Sequence, residues 1–202
     1  MAEDTGSRRR QRATDSKQRL FDASMQLLGT RGPDAVTVEE IAGIAGVSKG
    51  TVYYNFGSKD GMISQMLSYG SDLLMADLHA AASEPDPQLA LRQMMLAAMD
   101  FVGRYPSFAQ VMLTEQLNSS TSWGEQLMAL HGQVAELIIS LLERLVVLSE
   151  EEKLPAATAM FGAAAFTARM HATGRLPGDS EAAVSMVLNL VHGLLATHQK
   201  AA

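Results

Sequence analysis

The chain has 202 residues, 47% of them apolar and 19% charged, with a formal net charge of −6; that is enough apolar material for a sizeable core divided over two lobes. It has no cysteine, which excludes disulfides, thiolate metal sites, cysteine nucleophiles and thiol-based redox sensing. No apolar run approaches the ~20 residues of a membrane span, and the polar, charged N-terminus is not followed by an apolar signal segment, so a cytoplasmic protein is expected.

The charge is unevenly spread. Residues 8–59 hold nine basic side chains against five acidic ones, whereas residues 61–202 hold seven against fourteen. A basic head on an acidic body suits phosphate attraction joined to an unrelated second task. Met1 to Thr14, with Arg8-Arg9-Arg10-Gln11-Arg12, shows no apolar periodicity and is predicted to be a flexible basic arm. Such an arm is either a solvated tail or a segment that lies on phosphates or in a minor groove. Asp15 and Gln18 can form a capping box for a helix whose stripe of Leu20, Phe21, Leu27 and Leu28 runs until Gly32-Pro33.

Thr37 and Glu40 form a second capping box, and Val38, Ile41, Ala42 and Ala45 then share one apolar face, which predicts a helix of about two turns. Gly46 can adopt the left-handed backbone that leaves it, Val47 fills the angle, and Ser48 can cap another short helix to about Asn55. This is a helix-turn-helix pattern. Its second helix offers mainly Val52 and Phe56 inward and shows Lys49, Gly50, Thr51, Tyr53 and Tyr54 elsewhere, which suits insertion into a DNA major groove. The alternative is a helix-turn-helix used only for packing.

Thr37 through Lys59 closely resembles the tetracycline-repressor (TetR) family of ligand-controlled transcription regulators, whose pattern reads Thr-Val-x-x-Ile-Ala-x-x-Ala-Gly-Val-Ser-x-Gly-x-aliphatic-Tyr-x-His/Tyr-Phe-x-x-Lys. Asn55 departs from it, standing where His or Tyr is usual; it can still donate to a phosphate. The likeness covers about Asp15 to Leu67. It implies base contacts from Lys49 and Thr51, groove-wall or thymine-methyl contacts from Tyr53 and Tyr54, and phosphate contacts from Thr37, Ser48, Asn55 and Lys59. Gly50 lets the helix approach the DNA.

Ser58 can cap a long helix with Met62, Ile63, Met66, Leu67, Leu73 and Leu74 inward, ending near Ala82. Asp86-Pro87 opens a helix to about Arg104, and Tyr105-Pro106 breaks it and opens another to about Asn118. After a loop, Ser122 with Glu125 caps a long helix bearing Leu127, Leu130, Val134, Leu137, Ile138, Leu141 and Leu145. Glu150-Glu151-Glu152 is expected to end it as a solvated patch. Pro155 opens a helix rich in Ala and Gly, and Ser180 starts a last aliphatic helix. No segment alternates as a strand would, so the fold class is all-α. The predicted division is a flexible arm (1–14), a helix-turn-helix domain (15–57) and a helical effector-binding and dimerisation domain (58–202).

The small-residue helix followed by an aliphatic one suits either intrachain packing or close approach to a second copy. The family resemblance favours a homodimer through the last two helices (about 155–199), because one reading helix serves only one half-site. The middle helices carry Met94, Met95, Met99, Met112 and Met128 with Phe101, Phe108, Trp123 and Phe161. Adaptable thioether chains fit an apolar pocket as well as an ordinary core. The resemblance, in which this region encloses an effector, leads to a candidate ligand set of Met95, Met99, Phe108, Met112, Trp123, Met128, His131 and Phe161, with His131 orienting the ligand.

The expected ligand is a small apolar or amphipathic compound, and the acidic body would also admit a cationic one. His79, His192 and His198 lack partners at metal-ligand spacing, so neither metal nor cofactor is assigned. There is no phosphate loop, no Gly-x-Ser-x-Gly elbow and no carboxylate pair in the chain, so an enzyme is not expected. The expectation is therefore a repressor that binds double-stranded operator DNA as a dimer and leaves it when a ligand binds. The alternative is a helical carrier of apolar molecules whose basic head binds acidic partners.

Overall fold

The computed structural model describes the backbone of residues 2–32, 34–115 and 122–197. Among these residues the elements are helices: α1 (Ala2–Arg31), α2 (Val38–Ala45), α3 (Lys49–Phe56), α4 (Lys59–Ala82), α5 (Pro87–Arg104), α6 (Pro106–Glu115), α7 (Ser122–Leu145), α8 (Glu150–Ala172) and α9 (Ser180–Thr197). The chain is all-α, as its periodicities predict. α1, α2 and α3 form a head, and α4 runs out of it between α5 and α7. α8 packs on α5, α7 and α9, while α6 leaves the body to lie along α1.

Two boundaries differ from expectation. α1 begins at Ala2, so Asp15 and Gln18 lie within a helix instead of capping one. The Arg-Gln-Arg-Ala stretch before them is made of good helix formers with neither Gly nor Pro to stop propagation. Gln18 instead donates from Nε2 to Asp22 Oδ1 at 2.9 Å and accepts from the Tyr69 hydroxyl at 2.9 Å. The side chains of Arg8 to Arg12 lie outside the described residues, as do Pro33 and residues 116–121, on which most of the loop expected from Asn118 to Ser122 falls.

The second difference is at Glu150-Glu151-Glu152, which opens α8 and does not close α7. The N–H and hydroxyl of Ser149 both donate to Glu152 at 2.8 Å, and three carboxylates in a first turn complement the positive end of the helix dipole. Pro155 then sits inside α8, past its first turn, so the Glu151 carbonyl lacks its i→i−4 donor. α9 starts at Ser180 as expected, with Asp179 before it accepting from Ala182 N–H at 2.8 Å.

Head and body meet at a cluster of rings. Phe21 of α1 stands edge-on to Tyr69 of α4 (centroids 5.5 Å apart) and to Tyr105 (5.1 Å), and lies 5.9 Å from Phe108 of α6. Phe101 of α5 extends the cluster to Tyr105 at 5.0 Å and to Phe108 at 5.5 Å. These rings can sit against α4 because position 70 has no side chain: a Cβ there would lie 2.7 Å from both Phe108 Cδ2 and Phe21 Cε2. At Gly29 of α1 a Cβ would lie 2.7 Å from Ser107 Cα, so α6 rests directly on the α1 backbone.

Gly70→Ala should therefore overpack the joint and cost about 1–3 kcal/mol. Gly103→Ala, on an exposed helical turn with open space around it, should change stability by at most about 1 kcal/mol and in the favourable direction. Equal melting shifts for the two variants would contradict this account of the joint.

Candidate DNA-binding face and ligand cavity

The head is held by short-range bonds that the sequence foreshadows. The Thr37 N–H and hydroxyl donate to Glu40 Oε2 at 2.9 Å, and Glu40 N–H returns to Thr37 Oγ1 at 3.3 Å. Gly46 closes α2 with φ of 66°, a conformation that a side chain would oppose. Ser48 accepts from Thr51 N–H at 3.0 Å and starts α3; Ser58 accepts from Gly61 N–H at 2.9 Å and starts α4, putting Lys59 in its first turn. On α3 only Val52 is fully buried. Lys49, Gly50, Thr51, Tyr53, Tyr54 and Asn55 all face outward, and Tyr54 is 90% exposed. A Cβ at Gly50 would meet nothing closer than Ser48 Oγ at 3.9 Å, so nothing within the chain requires glycine there.

Two contacts in the head escaped the sequence reading. Lys49 is paired with Glu39 of α2, and its ammonium lies 5.6 Å from the centre of the Tyr53 ring. The hydrogen bond between them holds Lys49 above, and Glu39 below, its ordinary pKa. Arg31 bonds Glu40 at 2.7 Å and so ties the end of α1 to α2. Asn55 spends its amide donor on the Thr51 carbonyl at 2.7 Å.

The body encloses a cavity of about 80 Å³ between α4, α5, α6, α7 and α8. Its walls are Leu74, Leu78, Leu91, Met94, Met95, Ala98, Phe101, Val102, Phe108, Ala109, Met112, Leu113, Val134, Ile138, Met160, Phe161, Ala164, Ala165 and Ala168, without a polar side chain. Of the expected ligand set, Met95, Phe108, Met112 and Phe161 line it. Met99 and Trp123 are buried in the core beside it, not at its wall. Met128 is 48% exposed, because Leu127, Leu130 and Val134 take the buried face of α7 and leave it a residue out of step.

His131 stacks on Phe161, with ring centroids 4.7 Å apart, and its Nε2 is buried without a partner among the described residues. Trp123 Nε1 is likewise buried and unpartnered among them. His171 of α8 lies 3.1 Å, through Nε2, from Gly178 O across the turn into α9. Apart from Phe161, the cavity residues contributed by α8 (Met160, Ala164, Ala165 and Ala168) were not in the expected ligand set, because a run of alanines does not reveal which of its faces is covered.

Residues 20–66 match the profile of the bacterial regulatory proteins, tetR family. Over those residues the chain carries a tetR-type DNA-binding domain. The match falls on α1 to α4, where the capped helix pair and the outward face of α3 lie. The transcriptional repressor NicS of Pseudomonas putida is 24% identical over 138 residues, which are 67% of this chain and 65% of NicS. The regulator YvkB of Bacillus subtilis is 43% identical over 56 residues, 28% of this chain and 30% of YvkB. The chain thus spans less than two thirds of the length of either relative. A TetR-like transcriptional regulator from Rhodococcus sp. RHA1 superimposes with a TM-score of 0.76 at 23% identity, covering 90% of this chain and 96% of that one.

In the head, Glu40 is one group through which pH acts. Bonds from Arg31, and then from the backbone and hydroxyl of Thr37, hold its pKa at about 2 against an ordinary 4.5. A carboxylate depressed on folding stabilises the fold above its unfolded value, and that contribution is lost as pH falls from about 4.5 towards 2. Acid titration of helicity should show Glu40→Gln with a flatter profile than the wild type in that window, since the amide can still reach the Thr37 N–H but does not titrate. Parallel profiles would refute the assignment. Thr37→Ala, which removes the cap itself, should cost about 1 kcal/mol at neutral pH.

Proposed function

We propose that the protein is a transcriptional regulator that binds a palindromic operator as a homodimer, usually represses, and is released by a small apolar or amphipathic ligand. The observation that carries this reading is the outward face of α3: an eight-residue helix that buries one side chain and exposes Lys49, Gly50, Thr51, Tyr53, Tyr54 and Asn55 has little packing to justify it. The N-terminal half of such a helix carries base-reading side chains in the major groove. Lys49 and Thr51 are assigned to base edges, Tyr53 and Tyr54 to the groove wall, and Thr37, Ser48, Asn55 and Lys59 to phosphates. NicS, itself named a repressor, supports the direction of control, and such a protein acts where the DNA is, in the cytoplasm.

The dimer reading has its own support. Pro155, Ala159, Gly162 and Phe166 form an exposed stripe at helical spacing along α8, with Phe166 at 61% exposure, and Met186 of α9 is 67% exposed. Large apolar side chains on a narrow surface of small ones suit close contact between two copies. Val191, Leu194 and Leu195, expected on the same interface, lie outside the described side chains. Met95, Phe108, Met112 and Phe161 at the cavity wall, with Met99, Trp123 and His131 around it, are assigned to the ligand.

Selection from a random duplex pool should return an inverted repeat whose half-sites are one helical turn, or a multiple, apart. On that site Lys49→Ala should alter base preference, whereas Lys59→Ala should weaken every variant alike and lower the salt dependence by about one phosphate's worth. A selected pool without two-fold symmetry would overturn the reading. Phe166→Arg should yield a folded monomer in sedimentation with strongly reduced operator affinity; an unchanged dimer would move the interface elsewhere.

A further inference from the structure

Arg169, next in sequence to the cavity residue Ala168, is a cation whose hydrogen-bond partner carries no charge. In the body, Arg92 is paired with Glu181, Arg104 with Asp77, and Lys153 with Glu143 and Glu150. Arg169 of α8, half-buried, has no carboxylate partner among the described residues. Its Nε and Nη2 both donate to one oxygen, Gln110 Oε1 of α6, at 3.0 and 2.7 Å. A guanidinium has five donors in a planar fork shaped for the two oxygens of a carboxylate, and a neutral amide oxygen satisfies it poorly.

The position of this bridge gives it a use. Arg169 follows Ala168 and lies one turn from Ala165, both cavity residues; Gln110 follows Ala109 and precedes Met112 and Leu113, which are cavity residues as well. The bridge therefore joins α6 and α8, two of the five helices that wall the cavity, beside residues that line it. An apolar body in the cavity has no polar wall atom to bond, so any charged end it carries must sit at the rim.

We propose that Arg169 is the headgroup site of this cavity, and that the ligand is an anionic amphiphile: an apolar body with a terminal carboxylate that takes Arg169 away from Gln110. The inference rests on the ligand-controlled reading above and narrows it, favouring an acid over the cation that the body's net charge would admit. Because α6 also rests on α1 through Ser107 and Gly29, exchange of the Gln110 bond for a ligand bond loosens the tie of α6 to α8 at the point where the body touches the head.

The test is calorimetric titration of the full-length protein at neutral pH and fixed ionic strength with octanoate, 1-octanol and octylammonium. Octanoate should bind at least tenfold more tightly than octanol, and octylammonium more weakly than both. Arg169→Gln should abolish the preference for octanoate while leaving octanol within twofold. Gln110→Ala removes the same bridge but frees the guanidinium, so it should keep or increase the preference. If the two variants behave alike, Arg169 serves only as a strut. If octanol matches octanoate in the wild type, the anion site fails and the apolar cavity stands. If none of the three binds, the ligand-binding reading of the cavity fails with it.

Discussion

The absence of a side chain at position 70 is the constraint on which the rest of the molecule depends. It lets Phe21, Phe108 and their neighbours press against α4, so that rings from α1, α4, α5 and α6 occupy one small volume. Close-packed interiors cannot deform continuously, and a ring displaced there has to displace others. Phe101 and Phe108 are both cavity wall and members of this cluster, so the same two side chains report on the cavity contents and bear on the helix that supports the reading head. Tyr69 adds a polar strand to the joint through its hydrogen bond to Gln18, within reach of the Lys17 ammonium 4.4 Å from the ring centre.

What was legible in the sequence follows the range of the interactions. The head could be read because its determinants are local: Thr37 with Glu40, Ser48 with Thr51, a left-handed Gly46 and a four-residue apolar face all act within one or two turns. The start of α8 was misread for a local reason too, since Glu150-Glu151-Glu152 suits the end of one helix as well as the start of the next, and the Ser149–Glu152 box decides between them only once its bonds are seen. Interactions between distant segments left no signal at all. Neither Lys49 with Glu39 nor Arg169 with Gln110 follows from spacing, and Met95 and Met128 look alike in sequence although one lines the cavity and the other faces outward.

The Lys49–Glu39 pair gives the reading face a resting state. Both side chains are more than half exposed, so the pair contributes little to stability. It does hold the ammonium beside Tyr53 and away from free rotation. In the proposed base-reading role, Lys49 would exchange one hydrogen-bonded partner for another, and the net gain would be smaller than a free lysine would give. The cost falls on every sequence equally, whereas the recovered bond depends on the base presented, so an internal competitor of this kind favours discrimination over raw affinity.

The size of the cavity bears on how a ligand could do work. At about 80 Å³ it is smaller than the roughly 150 Å³ apolar cavity that accepts benzene in an engineered core. Any larger body must push its walls apart. Methionine and leucine walls yield by changing rotamers, but Ala164, Ala165 and Ala168 have no rotamers to change, so expansion against α8 is met by backbone and the displacement is directed towards α4, α5 and α6. Converting a population from nearly all DNA-competent to nearly all incompetent takes about 5.5 kcal/mol of preference for the second state. At about 0.8 kcal/mol per buried methylene, a chain of roughly seven methylenes sheltered only in the expanded state would supply that, before any bond made by its polar end. A cavity that is too small when empty is therefore suited to switching: the free energy of burying the ligand is available only in the state that the closed core resists.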